Sequence, residues 1–241
     1  MYNIALALLA GILVSVLLIF AVELNIWISL LIGFILIAGL YLLLTRYVMG
    51  KVTALMDTVQ KDVQAGRVEK AIKVLESGLK YGPWQIYVTG QINSQIGMIL
   101  FLKRDFAEAF PYLEKGFVKN WAAMGMLAVT YMKRNKNSKM IDTFESAVTV
   151  NKKEPLLWNL YGFCLEHVGE KEKAIAVMEK GVKKVGGHEL LEANLDLLRD
   201  GKKMKMMAWG ELWYQFHLEK TGAIIKQQTK AIQGRRKIVR Q

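Results

Sequence analysis

The sequence of 241 residues has one cysteine, three histidines and three prolines. A single cysteine, Cys164, excludes a disulfide within the chain and agrees with a reducing compartment. The scattered histidines offer no zinc spacing and no glycine-rich phosphate loop follows a strand pattern, so we expect no cofactor and no metal. Cys164 and His167 lie three residues apart on one predicted helix, but apolar neighbours favour a buried thiol over a nucleophile beside its base. We therefore predict that the chain is not an enzyme.

Charge is absent from two long apolar runs, residues 4–22 and 26–44, which only residues 23–25 separate. As a helix, each run is long enough to cross a hydrocarbon core about 30 Å thick. The pattern predicts a transmembrane helical hairpin over residues 1–48. A cleaved signal peptide is disfavoured, because no basic residue precedes the first run and a second run follows at once. The lack of charge within the runs also disfavours a channel or transporter.

Basic residues near the ends of the runs predict the orientation of the hairpin. The connection contains Glu23 and no lysine or arginine, whereas Arg46, Lys51 and Lys61 follow the second run. Because basic residues favour the cytoplasmic side, both termini and the downstream region are predicted to be cytoplasmic. By analogy of architecture, the membrane is expected to be a bacterial inner membrane.

Small residues recur every fourth position within both runs. Such stripes let membrane helices approach closely, so we expect them to pack the hairpin or to contact a partner helix. The residues concerned are Ala7, Gly11, Ser15, Ser29 and Gly33.

Residues 52–188 contain a repeated pattern of bulky and small residues at helical spacing. It is clearest where Trp158 and Gly162 precede a turn at Gly169 and then Ala174. This stretch resembles the tetratricopeptide repeat, whose two helices carry such residues at matching positions. Four units fit, with starts near Val52, Gly90, Trp121 and Pro155 and hence spacings of 38, 31 and 34 residues.

The resemblance implies a stacked helical array whose first helices line a concave groove for protein partners. The predicted groove is mostly apolar and rich in methionine, which suits an amphipathic or extended apolar segment of a partner. The competing interpretation is that the chain's own C-terminal helix fills it. The predicted groove residues are Met56, Gln91, Ser94, Met98, Phe101, Val129, Met132, Asn159, Phe163 and Glu166.

The C-terminal region is strongly basic. Residues 201–241 hold ten basic and two acidic residues, whereas residues 51–200 hold 22 and 18. We expect residues 189–218 to form a capping helix followed by an aromatic and basic segment, and residues 219–241 to form a basic amphipathic helix or a solvated tail. Core capping and contact with anionic lipid headgroups compete as roles for the aromatic residues. The predicted membrane-surface residues are Lys202, Lys203, Lys205, Trp209, Trp213, Lys226, Lys230, Arg235, Arg236, Lys237 and Arg240.

These patterns together predict an all-α protein with two transmembrane helices, a tetratricopeptide-like α-solenoid of about four helix pairs and a basic C-terminal helix. The predicted function is that of a membrane-anchored scaffold or adaptor that binds protein partners. The alternative is a self-associating membrane protein that forms a homo-oligomer or coat. Nucleic acid is disfavoured as a partner, because the basic tail lacks stacking aromatics and no RNA-binding module is recognised.

Overall fold

The computed structural model of the protein describes residues 1–219, and its regular elements there are all helices. This confirms the predicted all-α class. Most of the predicted basic tail, residues 220–241, lies outside the described part. The α-helices are α1 (Tyr2–Phe20), α2 (Ile26–Gln64), α3 (Val68–Gly78), α4 (Val88–Leu102), α5 (Phe106–Glu114), α6 (Trp121–Lys133), α7 (Asn137–Val150), α8 (Pro155–His167), α9 (Lys171–Val185), α10 (Glu189–Arg199) and α11 (Glu211–Tyr214). Short 3-10 turns occur at Leu79–Tyr81 and Met206–Trp209.

The chain forms two compact units, and their boundary falls within α4. Among the described residues, unit 1 comprises residues 1–99 and 115–117, and unit 2 comprises residues 100–114 and 118–219. The boundary that the sequence predicts between the hairpin and the repeat array, near residues 48–52, lies within α2, which continues there without a break. No proline interrupts this stretch and Gly50 alone does not stop a helix, so α2 extends over 39 residues, or about 58 Å.

In unit 1, the small residues of α1 and α2 are buried where the two helices pack together. The Ser15 hydroxyl lies 2.9 Å from the Gly11 carbonyl oxygen and 3.2 Å from that of Ser29. A methyl group added at Gly11 would collide with the side chain of Ile37, so the close approach requires glycine there. Both helices are long and apolar enough to cross a membrane. Their outward side chains are apolar too: Leu9 and Phe34 are 60% and 68% exposed.

One type of turn ends four helices, α2, α4, α6 and α8. Its central residue has a positive φ, between 56° and 88°, at Gly66, Arg104, Asn135 and Gly169. In each turn the next N–H donates to the carbonyl oxygen five residues earlier, at 2.8 or 2.9 Å, as in a Schellman motif. The spacings between these turns are 38, 31 and 34 residues, which are the spacings read from the sequence.

The helices that follow these turns begin alike. Five residues after each positive-φ position stands a fully buried side chain: Ala71, Ala109, Met140 and Ala174. Met140 therefore fills a position that is otherwise held by alanine, without becoming exposed.

In unit 2, α6 packs on α7, α8 packs on α9, and α8 also contacts α6 and α7. A Cβ added at Gly181 would lie 2.7 Å from Trp158, and one added at Gly162 would lie 2.7 Å from Met178, so both glycines permit close packing of α8 on α9. Two tyrosines repeat one contact: the Tyr131 hydroxyl donates to Glu114 at 2.6 Å, and that of Tyr161 to Glu145 at 2.9 Å.

A fifth turn of this type ends α10. Gly201 has a φ of 76°, and the N–H of Lys202 donates to the Leu197 carbonyl oxygen at 2.8 Å. Helix α10 contacts α8 and α9 much as α8 contacts α6 and α7. The helix that the sequence interprets as a cap thus ends as the first helix of each pair does. No long second helix follows it in the described residues, because the 3-10 turn after Met204 and Lys205 ends at Gly210, whose φ of 60° and ψ of −133° favour glycine.

Candidate partner-binding groove and its internal occupant

Residues 204–217, here called the C-terminal segment, fold back onto unit 2. Buried asparagines attach its beginning. The N–H of Lys205 donates to Asn194 Oδ1 at 2.7 Å, and Asn194 Nδ2 donates to Asn159 Oδ1 at 3.0 Å. Asn159 and Asn194 are at most 2% exposed, so each bond replaces one that water would otherwise supply. The pair of amides therefore fixes where the segment starts.

Two aromatic side chains of the segment are completely buried. Trp213 packs edge-on against Phe163 of α8 with ring centroids 4.8 Å apart, and Phe216 lies 6.4 Å from the ring of Trp121 in α6. A Cβ at Gly125 would stand 2.9 Å from the Phe216 ring and 2.9 Å from Leu160. The missing side chain of Gly125 thus provides room for Phe216.

The end of the segment is held by His217. Its ring lies 5.6 Å from Phe101 and 5.7 Å from Phe106, and Lys133 Nζ donates to the His217 carbonyl oxygen at 3.0 Å. Burial and the nearby charges of Arg104 and Lys133 lower the pKa of His217, because all three disfavour the imidazolium. Docking of the segment therefore favours the neutral imidazole of His217.

We call the surface that receives the segment the aromatic groove; it is formed by Phe101, Phe106, Trp121, Gly125 and Phe163. It belongs to the last turn of α4 and to α5, α6 and α8, all within unit 2. A groove of apolar rings that holds two further rings can select aromatic side chains by shape and by edge-to-face contact. Within the described chain, its occupant is the protein itself.

The residues predicted to line a partner groove are divided between the units. In unit 2, Phe101, Val129, Met132 and Asn159 are buried, while Phe163 and Glu166 are partly exposed. Phe101 and Phe163 contact the C-terminal segment directly, and Asn159 contacts it through Asn194.

The four predicted groove residues of unit 1 are described separately. Met56, Gln91 and Met98 are partly exposed, whereas Ser94 is buried and its hydroxyl oxygen accepts from the N–H of Phe117 at 2.8 Å. Ser94 therefore fixes a turn of the chain within unit 1.

Sequence reasoning missed four residues of the site, namely Phe106, Trp121, Gly125 and Asn194. Gly125 had a usable signal, because a glycine in the middle of an apolar helix indicates a close approach. The pairing of Asn194 with Asn159 had none, since 35 residues separate the two amides.

The predicted membrane-surface residues differ in their surroundings. Lys202, Lys203 and Lys205 are exposed, and Trp209 is partly buried with its ring stacked on His188 at 4.9 Å. Trp213, for which the sequence leaves core capping and contact with lipid open, is fully buried, because the aromatic groove receives it. The remaining candidates, Lys226, Lys230, Arg235, Arg236, Lys237 and Arg240, lie outside the described residues.

Cys164 and His167 do not form a reactive pair. Cys164 is fully buried, and burial raises the pKa of its thiol, while His167 stacks on Phe163 with ring centroids 6.1 Å apart. A buried neutral thiol is a poor nucleophile. Among residues 1–219, no group of three or more His, Cys, Asp or Glu side chains is arranged to hold a metal ion.

The sequence matches no model of a known protein family and no curated protein. The features of the chain that bear on its function are therefore the hairpin, the repeated turns and the aromatic groove.

Proposed function

We propose that this protein is a membrane-anchored adaptor of the tetratricopeptide type, whose aromatic groove binds apolar segments of protein partners. Helices α1 and α2 insert as a hairpin into a membrane, which we propose to be a bacterial inner membrane. The remaining helices lie on the cytoplasmic side, because Arg46, Lys51 and Lys61 follow the second span and no basic residue occurs between the spans.

The recurring turns support a tetratricopeptide-like array. Four turns of one geometry, each followed by a buried small or flexible residue, are what stacked two-helix units require. The fifth unit is incomplete, because no long second helix follows α10 in the described residues. The chain after α10 can therefore pack in the aromatic groove.

The observation that carries the proposal is the seating of Trp213 and Phe216 in the aromatic groove. Trp213 lies in α11 and Phe216 follows in the turn after it, where the Phe216 N–H donates to the Trp213 carbonyl oxygen at 3.1 Å and the two ring centroids are 6.4 Å apart. The ligand that best fits is therefore an apolar segment with two aromatic residues at this spacing. Such a ligand must displace the C-terminal segment, whose attachment to the same chain gives it a high effective concentration.

A peptide competition experiment tests this proposal on the full chain in detergent micelles. A labelled peptide of residues 204–219 is titrated against the native protein and against the double variant W213A/F216A, in which the occupant is weakened. We expect the double variant to bind the peptide at least about tenfold more tightly, because the intramolecular competitor has lost its two main rings. Adding Gly125→Val should abolish this gain by filling the seat of Phe216.

Equal, weak binding by the native protein and a double variant that circular dichroism shows to be folded would contradict the proposal. The C-terminal segment would then be a permanent part of the core. A peptide with both aromatic residues replaced by alanine is the matched control for binding through its backbone and charges.

The alternative function is self-association by exchange of the C-terminal segment between two copies. Its support is that the segment contacts the rest of unit 2 chiefly through side chains and follows a link, residues 202–203, that has no regular secondary structure. Variants F163C and W213C, each made with Cys164→Ala, are mixed and oxidised. A disulfide between the two variants would favour exchange, whereas disulfides confined to single chains of an F163C/W213C double variant would favour the adaptor.

A further inference from the structure

The 79–87 segment of unit 1 is fastened to the beginning of α1 and to α2. The N–H of Tyr2 donates to the Pro83 carbonyl oxygen at 2.9 Å, and the rings of Tyr2 and Trp84 meet edge-on at 5.3 Å. Gln85 Oε1 accepts from both Asn3 and Thr45, each at 3.3 Å. These bonds place the segment at the end of the hairpin where α1 begins and the apolar part of α2 ends.

A cavity of about 500 Å³ opens at this place. Its lining combines Leu6 of α1 and Leu44 of α2 with Tyr47, Lys80 and Trp84. Its volume lies within the range of about 300–1,000 Å³ that is common for small-molecule sites. A lining that combines leucines of the proposed spans with tyrosine, tryptophan and lysine matches the composition of the boundary between acyl chains and headgroups.

Asn3 supplies a polar group that the fold leaves unpaired. The residue is fully buried and lines the cavity, and its Oδ1 atom has no hydrogen-bond partner among the described residues. A buried acceptor without a donor is costly, so a ligand that donates a hydrogen bond there would be favoured. Headgroup hydroxyls are such donors.

The charge of the lining is positive. Of the described residues that line the cavity, Lys80 is the one charged residue, and its Nζ atom lies 5.2 Å from the centroid of the Tyr81 ring. It is exposed and therefore free to reach a phosphate while its stem follows the apolar lining.

We infer that this cavity binds an anionic phospholipid of the cytoplasmic leaflet. An acyl chain lies along Leu6 and Leu44, the phosphate is held by Lys80, and a headgroup hydroxyl donates to Asn3 Oδ1. The inference rests on the proposed insertion of α1 and α2 into a membrane. It is independent of what the aromatic groove binds.

Photolabelling of the full chain in vesicles tests the inference. The protein is reconstituted into phosphatidylcholine vesicles that contain a trace of either phosphatidylglycerol or phosphatidylcholine with the same diazirine-bearing acyl chain. Illumination is followed by mass-spectrometric mapping of the labelled peptides. We expect phosphatidylglycerol to label residues 1–10, 40–51 and 79–87 about fivefold more than phosphatidylcholine does, which is the preference that one lysine near anionic lipid provides.

Two variants and a control locate the site. Lys80→Gln should reduce the phosphatidylglycerol labelling of these peptides to the phosphatidylcholine level, and Leu6→Trp should reduce it by filling the cavity. Lys73→Gln, which removes an exposed charge from α3 outside the cavity, should leave it unchanged.

Alkaline carbonate extraction separates the possible failures. A chain that carbonate removes from the vesicles would overturn the membrane anchor and the lipid site together. A chain that resists carbonate but is labelled equally by both lipids, or whose labelling ignores Lys80→Gln and Leu6→Trp, would overturn the lipid site alone.

Discussion

Two segments of this chain, residues 79–87 and 202–217, mix lysine with tyrosine and tryptophan, and the fold treats them differently. The first holds Trp84 edge-on to Tyr2 at the end of the hairpin, partly exposed. The second places Trp213 and Phe216 in the aromatic groove, fully buried. A composition that is typical of a membrane interface therefore does not determine where aromatic residues lie. A complementary groove elsewhere in the chain can bury such aromatic residues away from solvent and lipid.

The largest difference between the segments is expected when each tryptophan is replaced by alanine. Trp213→Ala leaves a cavity in unit 2 and deprives Glu219 of the indole N–H that donates to it at 3.0 Å, so we expect a loss of about 3–5 kcal/mol in the free energy of unfolding. Trp84→Ala removes one edge-on contact and should cost about 1 kcal/mol. Urea titration of the solubilised chain, followed by circular dichroism, measures both. Equal losses would mean that Trp213 is less tightly packed than its burial indicates.

Replacing either of two glycines by alanine should change the free energy of unfolding by a smaller amount, and the two changes should have opposite signs. A Cβ at Gly125 would press on Phe216 and Leu160, whereas one at Gly50 in α2 meets no atom within 4 Å. We expect Gly125→Ala to destabilise the protein by about 1 kcal/mol, after the gain in helix propensity is subtracted, and Gly50→Ala to stabilise it by about 0.5–1 kcal/mol. The same urea titration applies. Stabilisation by both substitutions would show that Phe216 yields easily and that the groove is loosely filled.

Structural features could be predicted from the sequence where they depend on residues close together in the chain, and not where they depend on residues far apart. The hairpin and the helix pairs follow from local periodicity, and the 38, 31 and 34 residue spacings recur in the turns. The turn at Asn135 carries the residue type that replaces glycine most readily at a positive φ, whereas Arg104 gives no such signal, so its positive φ could not be predicted from the sequence. The burial of Trp213 depends on Phe163 and that of Phe216 on Gly125, residues 50 and 91 positions away. Periodicity does not report such pairings, which is why the lipid and core interpretations stayed undecided.

The attachment of residues 204–217 is expected to depend on pH. Because the pKa of His217 is lowered in the docked state, docking favours the neutral imidazole. The attachment is therefore complete above the ordinary pKa of about 6.5 and weakens as the pH falls below it toward the lowered value. Hydrogen exchange of residues 204–217, corrected for intrinsic rates, should show less protection at acidic pH, with α3 as the internal control. His217→Gln should remove this pH dependence, and its persistence would assign the effect to another group.

The smallest effect is expected from the exposed lysines that precede the buried aromatic residues. Lys202 is already paired with Asp200 at 2.9 Å, and the rings that would anchor Lys203 and Lys205 at a lipid surface are held in the groove. The attraction of a lysine to anionic lipid falls off within a Debye length of about 8–10 Å, so lysines that no inserted ring holds at the headgroups gain little from it. The triple variant K202Q/K203Q/K205Q should therefore change phosphatidylglycerol photolabelling by less than about twofold, against about fivefold for Lys80→Gln. A fall of fivefold or more in the triple variant, with label lost from residues 202–217, would show that the C-terminal segment leaves the groove for the membrane, as the lipid interpretation of its composition requires.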